Sequence, residues 1–422
     1  MITVTIVIFV LGYIGIALEH NTKVDKAGMA LVIGIQCWTL YFFSGPSAAE
    51  SEELLMHHMG EIATILFFLM GAMTIVEVVD SHNGFSVITD AIQTRSKSKL
   101  LIIVTSFTFF LSAILDNLTT AIVMTSLCRK LLTDKSDRLW FVSMVIIAAN
   151  AGGAWSPLGD VTTTMLWIGE QITASKIVLN TFLPSIVVAV VPLLILMARF
   201  RGQHIESASK QQIKHPVESI IMLITGVLLL VFVPVFKTIT HMPPFMGMLL
   251  SLGIIWFVSS IIHFRKHPEE RYKYSVTNAL HKIDNSSILF FLGILLAVSA
   301  LQAFNILGDL AQFAVAHVNN QYLIGGILGI LSAIVDNVPL VAAAQGMFSM
   351  DMYPTDHNFW QFLALSTGTG GSAIIIGSAA GVAVMGIEKI SFGWYMKNIS
   401  WLAFFGFLGG SMMFILQQWA LG

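Results

Sequence analysis

Long apolar runs joined by short polar connections cover almost the whole chain. They lie near residues 2–19, 27–43, 61–79, 100–132, 139–168, 176–198, 217–236, 245–263, 287–303, 322–350, 360–388 and 394–418. A helix of about 20 apolar residues is long enough to cross the hydrocarbon core of a bilayer. The pattern therefore predicts an all-α polytopic membrane protein, whose connections are too short to form a separate soluble domain.

Two of these runs have a length that fits neither one crossing nor two. Residues 100–132 and 322–350 exceed a single span, but they are too short for two full spans with a turn between them. Each contains an Asp-Asn pair near its middle, at positions 116–117 and 336–337. A helical hairpin that enters the membrane part way and returns to the same side satisfies both observations. We therefore predict two re-entrant hairpins.

Two further runs, 139–168 and 360–388, are interrupted by glycine-rich centres. The first contains Asn-Ala-Gly-Gly-Ala-Trp-Ser-Pro-Leu-Gly-Asp at 150–160, and the second contains Ser-Thr-Gly-Thr-Gly-Gly-Ser at 366–372. Gly and Pro leave backbone groups unpaired, and lipid cannot satisfy such groups whereas a bound ion or a cavity can. We predict that both runs are broken helices, and that about ten transmembrane helices accompany the two hairpins.

Composition and the placement of charge agree with this layout. Hydrophobic residues make up 56% of the chain and charged residues only 11%, whereas a soluble surface needs about a quarter of its residues charged. When every run except the two hairpins crosses once, one side of the membrane receives all but two of the 22 basic residues, the exceptions being Lys176 and Lys237. The positive-inside rule makes the crowded side cytoplasmic, so both termini are predicted outside.

The two halves of the chain resemble each other in their rare polar and glycine positions. Leu-Asp-Asn at 115–117 returns as Val-Asp-Asn at 335–337, and the glycine pair at 152–153 returns at 370–371, both at an offset near 220 residues. In the predicted topology the first copy starts outside and the second starts inside, so the repeats are inverted. Inverted repeats with broken helices that meet near mid-membrane are typical of secondary transporters.

This organisation predicts four segments along the chain. Residues 1–60 are N-terminal scaffold helices, and residues 61–200 are the first repeat, with its hairpin at 100–132 and its broken helix at 139–168. Residues 201–283 are a linker with further scaffold helices. Residues 284–422 are the second repeat, with a hairpin at 322–350 and a broken helix at 360–388.

Polar residues predicted at membrane depth are the candidate site. A carboxylate buried among Leu, Ile and Val costs several kcal/mol unless it is compensated, so such acids indicate a function. The candidates for ion binding and proton coupling are Asp116, Asn117, Asn150, Ser156, Asp160, Thr162, Thr163, Ser332, Asp336, Asn337 and Thr367. Oxygen ligands with net negative charge suit a small hard cation, and we place Na⁺ at Asp116, Asp160 and Asn337. Asp160 aligns with Ser378, so the first half carries an acid that the second lacks.

Buried carboxylates that serve two cations predict exchange. Desolvation favours the protonated carboxyl group, while a nearby metal ion favours the ionised one. Competition between H⁺ and Na⁺ for the same acids would couple their movements in opposite directions. The chemistry therefore predicts a cation/proton exchanger rather than an enzyme, with no cofactor and no nucleic-acid partner.

Each candidate also has a purely structural interpretation. Asp116 and Asp336 would also serve as helix N-caps at the hairpin tips, and Asp160 as the N-cap of the following half-helix. Ser or Thr hydroxyls in transmembrane helices often bond back to their own helix. His57, His58 and Glu61 stand at a predicted span end, where such residues are usually just solvated. They nevertheless remain candidates for pH sensing, because His titrates in the physiological range.

Several motifs together resemble one family. They are His-His-Met-Gly-Glu-Ile-Ala at 57–63, Leu-Asp-Asn-Leu-Thr-Thr at 115–120, the stretch 150–163 and Asp-Asn-Val-Pro-Leu at 336–340. Over roughly residues 50–420 the sequence is similar to the NhaD-type sodium/proton antiporters of the ion transporter superfamily. The resemblance implies export of Na⁺ or Li⁺ in exchange for H⁺, with roles in pH homeostasis and salt tolerance. It also implies a multi-pass protein of the bacterial inner membrane and a homodimer in which a transport domain slides against a scaffold domain.

Three other interpretations stay open at this point. A sodium-coupled dicarboxylate or anion symporter of the same superfamily shares the predicted fold, but it would want a basic residue at the substrate. An intramembrane aspartyl protease also pairs two buried acids, although three acids and an inverted duplication argue against it. A passive channel is distinguished from a carrier by saturable flux that depends on a counter-ion.

Overall fold

The computed structural model describes residues 1–17, 24–44, 47–84, 94, 96–205, 216–264, 266–318, 320–334 and 337–421. The helices in these ranges are α1 (Ile2–Ala17), α2 (Lys26–Ser44), α3 (Ala48–Ser81), α4 (Lys97–Ser112), α5 (Asn117–Leu131), α6 (Lys135–Gly153), α7 (Val161–Ile168), α8 (Ala174–Arg199), α9 (Pro216–Thr240), α10 (Pro244–His263), α11 (Pro268–Lys273), α12 (Val276–Lys282), α13 (Asn285–Ala303), α14 (Ile306–Val318), α15 (Gln321–Leu331), α16 (Asn337–Met347), α17 (Asn358–Gly370), α18 (Ala379–Glu388), α19 (Phe392–Asn398) and α20 (Ser400–Leu421). A 3₁₀ turn, Gly371–Ala373, follows α17.

The predicted all-α membrane fold is confirmed. In the described part of the chain, α2, α3, α8, α9, α10, α13 and α20 are each long and apolar enough to cross a bilayer. Many large apolar side chains on these helices are exposed, such as Phe43, Ile239 and Trp419. Exposed apolar surface of this extent is stable only against lipid, so the chain is a multi-pass membrane protein.

Both predicted hairpins are present, and their arms are shorter than a membrane span. In the first, α4 and α5 have 16 and 15 residues. In the second, α15 and α16 have only 11 residues each. At 1.5 Å per residue those two arms are about 16 Å long, whereas the hydrocarbon core is about 30 Å thick. The second hairpin is therefore re-entrant by length alone.

Both predicted broken helices are present as well, each ending in a half-helix with a polar N-cap. α6 stops at Gly153 and α7 starts after Asp160, whose carboxylate accepts a hydrogen bond from the Thr162 amide. In the second repeat α18 starts after Ser378, whose hydroxyl accepts from the Gly381 amide. Asp160 and Ser378 therefore occupy equivalent places, as the sequence alignment of the two halves predicted.

The repeats also share the contacts that hold each hairpin to its broken helix. Ser112 at the end of α4 donates to the carbonyl of Ala149, with an oxygen–oxygen distance of 2.6 Å. Ser332 at the end of α15 donates to the carbonyl of Thr367 at 2.9 Å. Because both pairs join the same elements in the two halves, the duplication extends from sequence to three-dimensional contacts.

Two glycines permit this close approach. A Cβ on Gly152 would lie 2.2 Å from the carbonyl oxygen of Phe109, and one on Gly370 would lie 2.0 Å from that of Gly329. Both carbonyls belong to backbone that cannot move aside cheaply. Any side chain at either glycine would therefore push the hairpin away from the broken helix.

The helices form two packed groups. α2 packs along α13, while α3 contacts α10, α9 and α13. The hairpins, the broken helices, α8 and α20 form the second group, in which α8 packs along α20 and α18 packs against α5. The groups meet where α16 contacts α13 and α14, and where α3 contacts α7. The glycine-rich breaks and the hairpin turns lie in the second group.

Two features of the fold differ from the prediction. α3 begins at Ala48 rather than near residue 61, so His57, His58 and Glu61 lie inside the helix instead of before it. The helix Ile306–Val318 was missed because its apolar residues alternate with Asp309, Gln312 and His317, which leaves no continuous apolar run.

A buried ion cluster ties the second broken helix to the first hairpin. Glu388, at the end of α18 with a side chain only 2% exposed, accepts from Nε of Arg138 at 2.8 Å and pairs with Nε of Arg129 at 3.2 Å. Arg138 also donates to the carbonyl of Leu132 at 3.0 Å. Because a buried carboxylate without its partners is strongly destabilising, this cluster fixes α18 against α5 and α6.

A buried histidine pair joins the ends of α3 and α10. The rings of His82 and His263 are nearly parallel, with centroids 4.9 Å apart and Nε2 atoms 2.7 Å apart. Nδ1 of His82 donates to the carbonyl of Val78 at 2.6 Å, so its Nε2 accepts from His263. Burial lowers the pKa of His82, which therefore stays neutral near pH 7.

Candidate functional site

Asp160 stands at the meeting point of the two hairpin turns. Its side chain is buried and caps α7, where Oδ1 accepts from the Thr162 amide at 3.0 Å and from the Thr162 hydroxyl at 2.9 Å. Nδ2 of Asn117, the first residue of α5, donates to Oδ2 at 2.7 Å. Nδ2 of Asn337, the first residue of α16, lies 3.3 Å from both carboxylate oxygens. One carboxylate is thus held by an amide from each hairpin.

Asn150 extends this network to the second broken helix. Its Oδ1 accepts from Nδ2 of Asn117 at 3.1 Å. Its own Nδ2 donates to the hydroxyls of Ser372 and Ser378, at 2.8 and 2.9 Å. Asn150 is fully buried, so all of these partners are needed. The chain of contacts links both breaks, and Ser378 joins it where the second repeat has no acid.

Asp116 lies one residue before Asn117 and caps α5. Its carboxylate accepts from the amide of Thr119 at 2.7 Å and from the Thr119 hydroxyl at 2.8 Å. Its φ of 119° lies in a region that non-glycine residues rarely adopt. Such strain persists only where the surroundings enforce it, and it is concentrated at functional sites. Asp336, the equivalent acid of the second hairpin, lies outside the described residues.

The two acids are therefore helix caps, as the structural interpretation proposed. A cap with four acceptor lone pairs retains capacity for further partners. Capping positions each carboxylate at the positive end of a helix, where an ionised acid is stabilised. This role does not compete with ion binding, because it keeps the negative charge in place when no cation is bound.

Three of the predicted hydroxyls bond to backbone carbonyls. Ser156 donates to Ala113 at 2.5 Å, and Thr367 donates to Leu363 at 2.7 Å. Ser332 joins its own helix to α17, as described above. Ser156 and Ser332 use their hydroxyl protons to join separate segments, whereas Thr367 bonds back to its own helix α17. None of the three donates to Asp160.

Two buried threonines have no such partner. The hydroxyls of Thr120 and Thr163 form no hydrogen bond with any described residue, and both side chains are fully buried. A buried hydroxyl without a partner costs about 1–3 kcal/mol. Thr163 follows Thr162 in the first turn of α7, and Thr120 lies in the first turn of α5. Both residues are close in sequence to the two caps, although neither lines the cavity that reaches those caps.

A cavity lies between the hairpin turns and the first group of helices. On one side it is lined by Asp116, Asn117, Asp160 and Asn337. The facing wall is formed by α2, α3 and α13, through the residues Lys26, Phe68, Leu69, Ser287 and Phe291. The sequence analysis missed Lys26, which belongs to a predicted connection, and Ser287, which is the first residue of the predicted run 287–303. Their position in the cavity depends on how α2 packs against α13.

His57, His58 and Glu61 form a separate cluster on α3. Glu61 lies 3.5 Å from Nε2 of His57 and 3.3 Å from Nδ1 of His58. His57 and Glu61 are exposed, whereas His58 is buried and its ring lies beside Trp38. None of the three lines the cavity that reaches Asp160. The structure therefore does not bring this predicted accessory group to the site.

Comparison with known sequences places the chain among transporters. The citrate transporter family model (CitMHS) matches residues 6–370. The chain is 46% identical to "Sodium/proton antiporter 1" of Arabidopsis thaliana, over 96% of this chain and 70% of that protein. It is 42% identical to "Sodium/proton antiporter 2" of the same plant, over 97% and 98%. With "Na(+)/H(+) antiporter NhaD" of Vibrio cholerae it shares 28% identity, over 94% and 87%.

Among solved structures, the fold is similar to that of the YdaH transporter of Alcanivorax borkumensis. The TM-score is 0.59, with 14% sequence identity, and the match covers 94% of this chain and all of that one. At this identity the likeness concerns the fold alone.

Proposed function

The chain belongs to the citrate transporter family, and its relatives include sodium/proton antiporters. From this premise we propose that it exchanges Na⁺ for H⁺ across a membrane. The observation that carries the proposal is the position of Asp160 between Asn117 and Asn337. One buried carboxylate meets an amide from each inverted repeat. Such a site can hold either a proton or a metal cation, and both repeats respond to which one is bound.

The amide side chains of Asn117 and Asn337 would allow the site to change between a state without Na⁺ and a state with Na⁺ bound. Without a cation, Nδ2 of Asn117 and of Asn337 donates to the ionised Asp160. An amide carries its oxygen opposite its NH₂ group, so rotation of either side chain would present an oxygen to a bound Na⁺. We place Na⁺ between Asp116, Asp160 and Asn337, with the hydroxyls of Thr162 and Thr163 as further oxygen ligands.

Protonation of Asp160 removes the charge that attracts Na⁺. A single carboxylate does not hold both cations at once. The site therefore carries Na⁺ across the membrane in one direction and H⁺ in the other, which is exchange. We propose that the hairpins, broken helices, α8 and α20 form the moving transport domain. The proposed scaffold comprises α1–α3, α9, α10 and α13. It therefore includes the predicted scaffold segments 1–60 and 201–283, and also the first helix of each predicted repeat, 61–200 and 284–422.

Citrate transport is the second candidate, because the family model carries that description. Citrate is a multivalent anion, so its site would need cationic or donor groups. One cationic side chain of the described residues, Lys26, lines the cavity, but it lies on the wall formed by α2 and α13. The wall at the hairpin turns carries Asp116 and Asp160, and the nearby amides already donate to Asp160. Two fixed negative charges favour a cation as the transported species.

Further details of the proposal come from two sources: the orientation of the termini from the distribution of basic residues, and the other details from the resemblance to NhaD-type antiporters. Li⁺ is a second transported ion, both termini lie outside, and the active form is a homodimer. The proposed location is a bacterial inner membrane. Reporter fusions to each terminus test the orientation, and cross-linking in native membranes tests the dimer.

Purified protein in liposomes loaded with a pH-sensitive dye tests the central proposal. Addition of Na⁺ or Li⁺ should move protons in the opposite direction, with saturation, while K⁺ serves as the comparison ion. Labelled citrate should not accumulate with or without a Na⁺ gradient. Citrate uptake in liposomes that show no Na⁺-driven proton movement would replace the proposal with the second candidate.

A further inference from the structure

A single cation faces the two acids across the cavity. Among the described residues that line it, the charged side chains are Asp116, Asp160 and Lys26. The two acids lie on the hairpin and the broken helix, whereas Lys26 is the first residue of α2, in the proposed scaffold. The two acids would therefore move with the transport domain, whereas the positive charge of Lys26 would stay in place with the scaffold.

Lys26 is held in place by its neighbours. Asp25 accepts from the Ala27 amide at 2.8 Å, which caps α2. Asp25 also accepts from the hydroxyl of Ser286 at 3.1 Å, which fastens the start of α2 to the start of α13. The ammonium group of Lys26 lies 4.6 Å from the centroid of the Phe290 ring, a favourable cation–π distance. The charge is thus tethered at the cavity wall.

The end of the cavity that is lined by Lys26 and Ser287 lies towards the side where most of the basic residues are predicted. α2 and α13 both start on that side, and Lys26 and Ser287 line the cavity at those helix starts. By the positive-inside rule this is the cytoplasmic face. A cation that approaches Asp160 from the cytoplasm must therefore pass the Lys26 ammonium.

We propose that Lys26 sets the affinity of the inward-facing site for Na⁺ by electrostatic repulsion. This inference rests on the proposed exchange of Na⁺ for H⁺. The tethered charge partly neutralises the field of Asp116 and Asp160, so binding requires a higher cytoplasmic Na⁺ concentration. The exchanger therefore works when cytoplasmic Na⁺ is high and slows when it is low. Lys26 acts on affinity at a distance and is not a ligand of the ion.

The effect of Lys26 on Na⁺ binding depends on its charge alone, which determines both its size and the ions that it affects. A unit charge acting over roughly 10 Å at an effective dielectric constant near 20 changes a binding constant about tenfold. Na⁺ and Li⁺ carry the same charge, so both should be affected by the same factor. The maximum rate should change little, because the repulsion acts on the approaching ion and the scaffold does not move.

Everted membrane vesicles, which expose the cytoplasmic face, test this inference with four variants. Lys26→Met and Lys26→Gln should each lower the half-saturating Na⁺ and Li⁺ concentrations about tenfold, and Lys26→Arg should restore the wild-type values. Lys282→Met is the matched control, because Lys282 lies at the same face and pairs with Glu77 away from the cavity. It should leave both concentrations unchanged.

The possible outcomes distinguish a failure of the role given to Lys26 from a failure of the proposed Na⁺/H⁺ exchange. Wild-type vesicles that move no protons on addition of Na⁺ would overturn the exchange function and, with it, the role of Lys26. Wild-type exchange together with unchanged half-saturation in both neutral variants would overturn the inference alone. A shift in Lys26→Arg as large as that in Lys26→Met would also overturn it, since packing rather than charge would then be responsible.

Discussion

Replacement of Asp160 by Asn probes the site with the smallest change in shape. In the native site Oδ1 accepts from the Thr162 amide and hydroxyl, and an Asn carbonyl oxygen can accept both. The new NH₂ group would face Nδ2 of Asn117, which now donates to Oδ2 at 2.7 Å, and Nδ2 of Asn337, which lies 3.3 Å from Oδ2. Each such donor–donor contact costs about 1–3 kcal/mol, so the variant should fold with reduced stability.

The expected effect on transport comes from the lost charge and not from this loss of stability. A unit charge 4 Å from Na⁺ contributes about 4 kcal/mol at an effective dielectric constant near 20, and a factor of ten in affinity corresponds to about 1.4 kcal/mol. Asp160→Asn should therefore weaken Na⁺ binding about a thousandfold. Proteoliposomes with an internal pH dye, assayed over a range of Na⁺ concentrations, measure the change.

Two further variants separate the charge from the cap. Asp134 also caps a half of this broken helix, through the Asp137 amide at 3.0 Å, but its side chain is exposed. Asp134→Asn should therefore leave transport unchanged. Asp160→Ser copies the residue of the second repeat, Ser378, and should fold but not exchange. Exchange by Asp160→Asn within a few-fold of the wild-type rate would refute the role given to this carboxylate.

Three other predictions concern the contacts around the site and at the helix ends. Asn337→Ala removes an amide that contacts Asp160, and flux assays should show the half-saturating Na⁺ concentration rising about tenfold, whereas an unchanged value would exclude Asn337 as a ligand. Glu388→Gln should lower the free energy of unfolding by about 3–5 kcal/mol, because it leaves Arg138 without its buried anionic partner. Thermal unfolding in detergent measures this loss of stability. A melting temperature equal to that of the wild type would contradict the prediction. Because burial lowers the pKa of His82, the unfolded chain binds more protons than the folded one below about pH 6.5. The melting temperature should therefore fall as the pH drops through this range, and His82→Gln should reduce that dependence; an equal slope in both proteins would contradict the assignment.

The frame of the fold was predictable because its physical constraints are local. Lipid leaves backbone polar groups unsatisfied, so the glycine-rich stretches at 150–160 and 366–372 predicted helix breaks, and α6 and α17 do end within them, at Gly153 and Gly370. The hairpin prediction depended on run length and on the Asp-Asn pairs, which are also local. Alignment of the halves then placed Asp160 opposite Ser378, and the structure shows both as caps of equivalent half-helices.

The rest depends on contacts between residues far apart in the chain. No local pattern shows that Asn150 bonds Ser372 and Ser378, more than 220 positions away. Lys26 falls in a predicted cytoplasmic connection, and only the packing of α2 against α13 turns it into the cavity wall. The amphipathic helix Ile306–Val318 gave no apolar run because its polar residues interrupt the hydropathy pattern.

Competition between Na⁺ and H⁺ at one carboxylate is tested most directly by proton release on binding. Purified protein in detergent and weak buffer would be titrated with Na⁺ while the pH is recorded, alongside the Asp160→Asn variant. The wild-type protein should release protons in proportion to the Na⁺ bound, its apparent Na⁺ affinity should fall as the pH is lowered, and the variant should release none. Saturable Na⁺ binding without proton release, at an affinity independent of pH, would contradict exchange through this site.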